Sequence, residues 1–81
     1  MGGRPPKHSD TEVLELFIAS SDPFLFTTEV AEMLDMTQQG AHARLSSLTE
    51  KGYIRSKKTE NARGWWITHA GREFAVSNNA D

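Results

Sequence analysis

Apolar residues recur with a helical period in three successive stretches of this chain before the pattern changes. Val13, Leu14, Phe17 and Ile18 stand at i, i+1, i+4 and i+5 and predict one buried stripe on a first helix. Ser9 or Asp10 can cap its start, since a side-chain oxygen there accepts a bond from an orphan backbone N–H. Pro23 pushes Asp22 out of the helical region, so the helix should end near Ser20–Ser21. Phe24-Leu25-Phe26 is too short for a helix and suits a small strand. Thr27 is expected to cap a second helix, with Glu29 in its first turn where the helix dipole favours negative charge. Val30, Ala31 and Leu34 form its inner stripe. Asp35-Met36-Thr37 then reads as a turn, with Met36 pointing to the core and Thr37 capping a third helix. There Ala41, Leu45 and Leu48 repeat at i, i+4 and i+7, and Gly52 supplies a left-handed stop.

After Gly52 the period changes. Tyr53 to Lys58 and Gly64 to Thr68 predict two strands around the polar loop Thr59 to Arg63, a hairpin. Trp65 and Trp66 are adjacent and must face opposite sides of the sheet, so one is expected in the core and the other partly exposed. Thr68 can cap a last short helix in which Ala70 and Phe74 face inward. The chain thus divides into a flexible basic arm (residues 1–9), one α+β domain (residues 10–76) and a frayed tail (residues 77–81).

Composition narrows the chemistry. Eighty-one residues with 37% hydrophobic content and seven aromatic residues fit one small globular domain. The absence of cysteine excludes disulfides and thiolate-bound metal. No apolar run approaches the ~20 residues of a membrane span, and the opening MGGRPPKHS lacks a signal peptide's apolar centre. Net charge is only −2, but it is unevenly placed. Residues 1–43 carry two basic residues against seven acids, a balance of −5. Residues 44–72 carry seven basic residues against Glu50 and Glu60, a balance of +5. Such asymmetry suits a domain with one phosphate-facing surface.

The stretch from Thr27 to Ile54 carries most of the functional signal. A short helix, a tight turn and a second helix with one polar face are what entry into the DNA major groove requires. With Ala41 at the centre of the buried face, steps of ~100° per residue put Gln39, His42, Ala43 and Ser46 on the opposite side. Thr37, Gln38 and Gln39 lie at the N-terminal end, where a recognition helix meets base edges. Glutamine can pair bidentately with adenine, and Gly40 and Ala43 keep the surface small. Arg44 falls beside the core, where its stem can pack while its head reaches a phosphate. Arg55, Lys57, Lys58 and Arg63 share the hairpin and are expected to lie along the phosphate backbone or in a minor groove.

These residues resemble the winged helix-turn-helix regulators of the MarR, ArsR and Lrp-like kind, including short archaeal and phage-repressor-like members. The resemblance rests on TTEVAEMLDMT, ARLSSLTEKGYI and WWITHAGREF, which follow one another at the family's spacing over residues 11–75. It implies a small winged domain: three helices, a two- or three-stranded β-hairpin wing and a short C-terminal helix. It further implies a sequence-specific regulator of transcription, a repressor, that binds double-stranded DNA. One short domain supplies one half-site, so a homodimer on DNA is expected, and the lack of a membrane span or signal peptide points to the cytoplasm, associated with the nucleoid. Gly3-Arg4-Pro5-Pro6-Lys7 is similar to an AT-hook core, which makes Arg4 and Lys7 candidates for a minor-groove arm.

Catalysis finds no support. His8, His42 and His69 come with no cysteine, no close carboxylate pattern and no helical face common to the three, and no phosphate-binding glycine loop or nucleophile elbow is present. No cofactor, metal, membrane or small-molecule effector is expected. The competing reading is a winged-helix protein-interaction module in a transcription or replication assembly, which the seven N-terminal acids favour. RNA binding is disfavoured because no exposed aromatic sheet platform is evident.

Overall fold

The computed structural model describes residues 8–21 and 24–78. In chain order the elements are helix α1 (Asp10–Ala19), strand β1 (Phe24–Phe26), helix α2 (Thr27–Leu34), helix α3 (Gln38–Glu50), strands β2 (Ile54–Lys58) and β3 (Arg63–Ile67), and helix α4 (His69–Asn78). This is the expected α+β order, with a sheet of three strands. Strand β3 lies in the middle, antiparallel to both neighbours, with Trp65 opposite Leu25 on one side and Ser56 on the other.

Capping sets most of the helix starts. Ser9 and Glu12 form a reciprocal box: the Ser9 hydroxyl accepts from Glu12 N at 3.2 Å, and the Glu12 carboxylate from Ser9 N at 2.9 Å. The Thr37 hydroxyl accepts from Gly40 N at 3.0 Å and that of Thr68 from Gly71 N at 3.1 Å. Thr27 departs from expectation. It is the first helical residue, the Glu29 carboxylate accepts from Phe26 N at 2.9 Å, and the Thr27 hydroxyl accepts the indole N–H of Trp65 at 2.8 Å. A buried indole donor requires a partner, and here it takes the hydroxyl that the pattern assigned to the cap.

The α2–α3 turn is closed by Asp35 in the left-handed region (φ 56°, ψ 49°) and by a 2.9 Å bond from Met36 N to the Ala31 carbonyl. Helix α3 stops at Gly52, whose φ of 86° is open to glycine at little cost. Around this frame the core gathers Val13, Leu14 and Phe17 from α1, Val30, Ala31 and Leu34 from α2, and Ala41, Leu45 and Leu48 from α3. Leu25, Ile54, Trp65 and Ile67 contribute from the sheet and Ala75 from α4. Trp65, 1% exposed, is among the largest fully buried side chains.

Some expectations need correction. Ile18 is 39% exposed, so the inner stripe of α1 is narrower than its apolar pattern. Ala70 is exposed while Gly71 and Ala75 are buried, which turns the inner face of α4 by one residue. Contact with the hairpin decides this: a Cβ on Gly71 would lie 2.1 Å from the Tyr53 carbonyl oxygen, so the helix can approach only through a glycine. Half-buried Phe74 then stacks on Tyr53 at 4.4 Å between ring centroids. His8 and Ser9 are bonded to Leu34 and Glu12, and α4 runs on through Ser77 to Asn78. The outer face of the sheet does carry aromatics. Phe24 stacks on Trp66 at 5.8 Å and meets Phe26 edge-on at 5.6 Å, so these rings pack largely against one another.

Candidate nucleic-acid interface

Helix α3 presents Gln38, Gln39, His42 and Ala43 to solvent while Ala41, Leu45 and Leu48 stay buried. Opposite this surface stand two other segments. The N-terminal end of α2 supplies Phe26, Thr27 and Thr28, and the hairpin tip supplies Asn61, Ala62 and Arg63. Together with Gln38, Gln39 and His42 they enclose an open groove of about 540 Å³. The tip itself is closed by Thr59, whose N–H donates to the Ala62 carbonyl at 2.7 Å.

Trp65 holds the three sides of this groove together. Its N–H binds Thr27 at the start of α2, the His42 ring meets it edge-on at 5.5 Å, and the Arg63 guanidinium lies over it at 5.6 Å. Arg63 also donates to the Ser56 hydroxyl at 2.9 Å. One buried ring therefore touches a helix start, an exposed helix face and the hairpin.

The basic residues of the hairpin do not act as a single row. Residues paired across antiparallel strands share a face. Lys58 is paired with Arg63 on the side facing α3, whereas Arg55 is paired with Trp66 and Lys57 with Gly64 on the outer face. Arg55, Lys57 and Lys58 are exposed and Arg63 is half-buried. Cationic side chains thus flank the groove on both faces of one strand pair.

Ser46, placed on the exposed face by the helical wheel, and Arg44, placed beside the core with its head free for a phosphate, both point elsewhere. Ser46 lines a smaller cleft of about 200 Å³ with Thr49, Ser56, Arg63 and Trp65, so it faces the hairpin. Arg44 turns toward α1. Its Nη2 donates to the His8 carbonyl and lies 3.4 Å from Asp10 Oδ1, and its Nε is buried without a hydrogen-bond partner among the described residues. Asp10 also holds Lys51, Oδ2 to Nζ 2.7 Å. The His8 ring donates to the Leu34 carbonyl at 2.8 Å, Nε2 necessarily being the donor because a carbonyl only accepts. The start of α1 is therefore bonded to the end of α2 and to α3 at once. Arg4 and Lys7 lie outside the described residues.

Phe26, Thr28, Asn61 and Ala62 are groove residues that helical periodicity had no means of finding. They reach it only because β1 pairs with β3. Among the described residues, no group of three or more His, Asp or Glu could hold a metal ion, and no helix is long and apolar enough to cross a membrane.

Helix, turn, exposed helix and basic hairpin define a winged helix-turn-helix domain. The family model described as winged helix-turn-helix DNA-binding matches residues 9–55. The chain belongs to this family. No curated protein matches it. Among solved structures, it is similar to MepR of S. aureus in a complex with DNA, with 16% identity and a TM-score of 0.77, over 88% of this chain and 60% of that one. It is similar to FabT of Streptococcus pneumoniae in complex with DNA, with 19% identity and a TM-score of 0.73, over 88% of this chain and 50% of that one. The zinc-responsive MarR family member ZitR of Lactococcus lactis is 18% identical at a TM-score of 0.72, over 98% of this chain and 55% of that one. The chain spans about half to three-fifths of the length of these proteins.

Proposed function

We propose that this protein binds double-stranded DNA sequence-specifically and regulates transcription as a repressor. The observation that carries the reading is the groove between α3 and the hairpin. Its walls are an exposed polar helix face with Gln38, Gln39 and His42 and a hairpin carrying Arg55, Lys57, Lys58 and Arg63. Helix α3 enters the major groove with its first two turns, and the hairpin neutralises phosphates beside it. The family model and the DNA complexes of FabT and MepR support the DNA-binding part of this reading.

Thr37, Gln38, Gln39, His42 and Ala43 contact bases or nearby phosphates in this reading. Lys57, Lys58 and Arg55 supply affinity, and Arg63 positions the hairpin against Trp65 as well as meeting phosphate. Arg4 and Lys7 are assigned to an adjacent minor groove. One domain reads one half-site, so two copies bind a palindrome. Exposed Ile18 on α1 and exposed Val76 on α4 make those helices the proposed dimer surface.

The test is titration of duplex DNA at several salt concentrations. Binding whose log K falls steeply with log salt supports the reading. No binding at low salt rejects it, and leaves the protein-interaction module as the use of this fold.

A further inference from the structure

We infer that the base pairs read by α3 are A·T pairs, and that this preference is enforced by the way α1 withholds the helix's only cations. The inference rests on the DNA-binding reading of the groove and names the DNA it takes.

The most common specific contact to guanine is a bidentate arginine or lysine on O6 and N7. Helix α3 with its C-cap offers two cations, Arg44 and Lys51. Asp10 binds both, at 3.4 Å and 2.7 Å, and the His8 carbonyl takes a further Arg44 N–H. Arg44 is therefore turned toward α1, with its Nε sealed from solvent. Lys51 is more exposed, but it stands 13 residues beyond Gln38, roughly 20 Å along the helix at 1.5 Å per residue. Neither reaches the groove that Gln38, Gln39 and His42 line.

What remains on that surface favours the other base pair. Gln38 and Gln39 each carry an acceptor and a donor, the pair that matches adenine N6 and N7. Phe26, 39% exposed at the groove edge, and the methyl groups of Thr28 and Ala43 offer apolar contact to the thymine C5-methyl. The one arginine lining the groove, Arg63, donates to Ser56 and lies over Trp65. Reading guanine would require it to leave both. Its position on the hairpin suits a phosphate instead.

Selection of duplexes from a random pool by the full chain tests this. Recovered sites with A·T pairs at the strongest positions are expected. Replacing adenine there by 7-deazaadenine, or thymine by uracil, should weaken binding about tenfold per lost contact. Q39R should move the preference at one position toward G·C, and R63A should weaken all duplexes alike while leaving the preferred bases unchanged. A G·C-centred consensus, or loss of base preference in R63A, would overturn the inference while leaving DNA binding intact. Recovery of no duplex at low salt would overturn the DNA-binding reading and this inference with it.

Discussion

Asp10 at the start of α1 reaches across to Arg44 in the middle of α3, with Oδ1 3.4 Å from the guanidinium, and grips Lys51 with its second oxygen at 2.7 Å. One carboxylate from outside the helix-turn-helix thereby sets which way Arg44 of α3 and Lys51 at its C-cap point. The side chains of Asp10 and Arg44 retain a quarter or slightly less of their exposure, so solvent screens the pair and its stabilisation is modest.

Replacing Asp10 by Asn should lower stability by about 1 kcal/mol, measured by urea unfolding, since two partly exposed ion pairs are lost. The more telling consequence lies in recognition. A freed Arg44 should raise DNA affinity while relaxing base preference, read from anisotropy titrations on matched and mismatched duplexes. Unchanged stability and unchanged preference together would show that Asp10 has no hold on α3.

Trp65 should be the position least tolerant of substitution in the hairpin. It is 1% exposed and gives its N–H to Thr27. Truncating a buried tryptophan costs about 3–5 kcal/mol, against roughly 4–12 kcal/mol expected for the whole domain. Trp65→Ala should therefore leave much of the chain unfolded at 37 °C by circular dichroism. Trp66→Ala, on the outer face, should remain folded.

Two glycines separate steric from conformational cost. A Cβ on Gly71 would sit 2.1 Å from the Tyr53 carbonyl oxygen, a backbone atom that cannot move alone. A Cβ on Gly52 meets nothing within 4 Å, but its φ is 86°. Gly52→Ala should cost about 1 kcal/mol. Gly71→Ala should cost more, because α4 must separate from the hairpin. Equal melting temperatures for the two variants would contradict this packing.

Lys57→Ala and Lys58→Ala should leave unfolding unchanged, since both side chains are exposed. Each should reduce the slope of log K against log salt by about 1 and weaken all duplexes to a similar extent. A variant that alters base preference with no change in slope would show that its lysine reads bases instead of phosphate.

Much of this architecture is legible along the chain. The repeats Val13-Leu14-Phe17, Val30-Ala31-Leu34 and Ala41-Leu45-Leu48 pair local period with burial. The signals at Ser9, Thr37, Gly52 and Thr68 are local as well, because each bonds or bends within a few residues of itself. The exposed face of Gln38, Gln39 and His42 follows from the same geometry. Errors arose where a residue answered to a distant partner. Thr27 serves Trp65, 38 positions away, and Arg44 serves Asp10 and His8, more than 30 positions back.

Helical period, capping chemistry and the alternation of the hairpin determined the elements and their order, since these depend on neighbours within one or two turns. Tertiary structure alone decided the groove and its electrostatics. Pairing of β1 with β3 carried Phe26 and Thr28 to the hairpin tip, strand register divided the basic residues between two faces, and Asp10 turned Arg44 away from the groove. Those are contacts between residues far apart in the chain, whose alignment depends on the closed core and leaves no periodic trace in the order of amino acids.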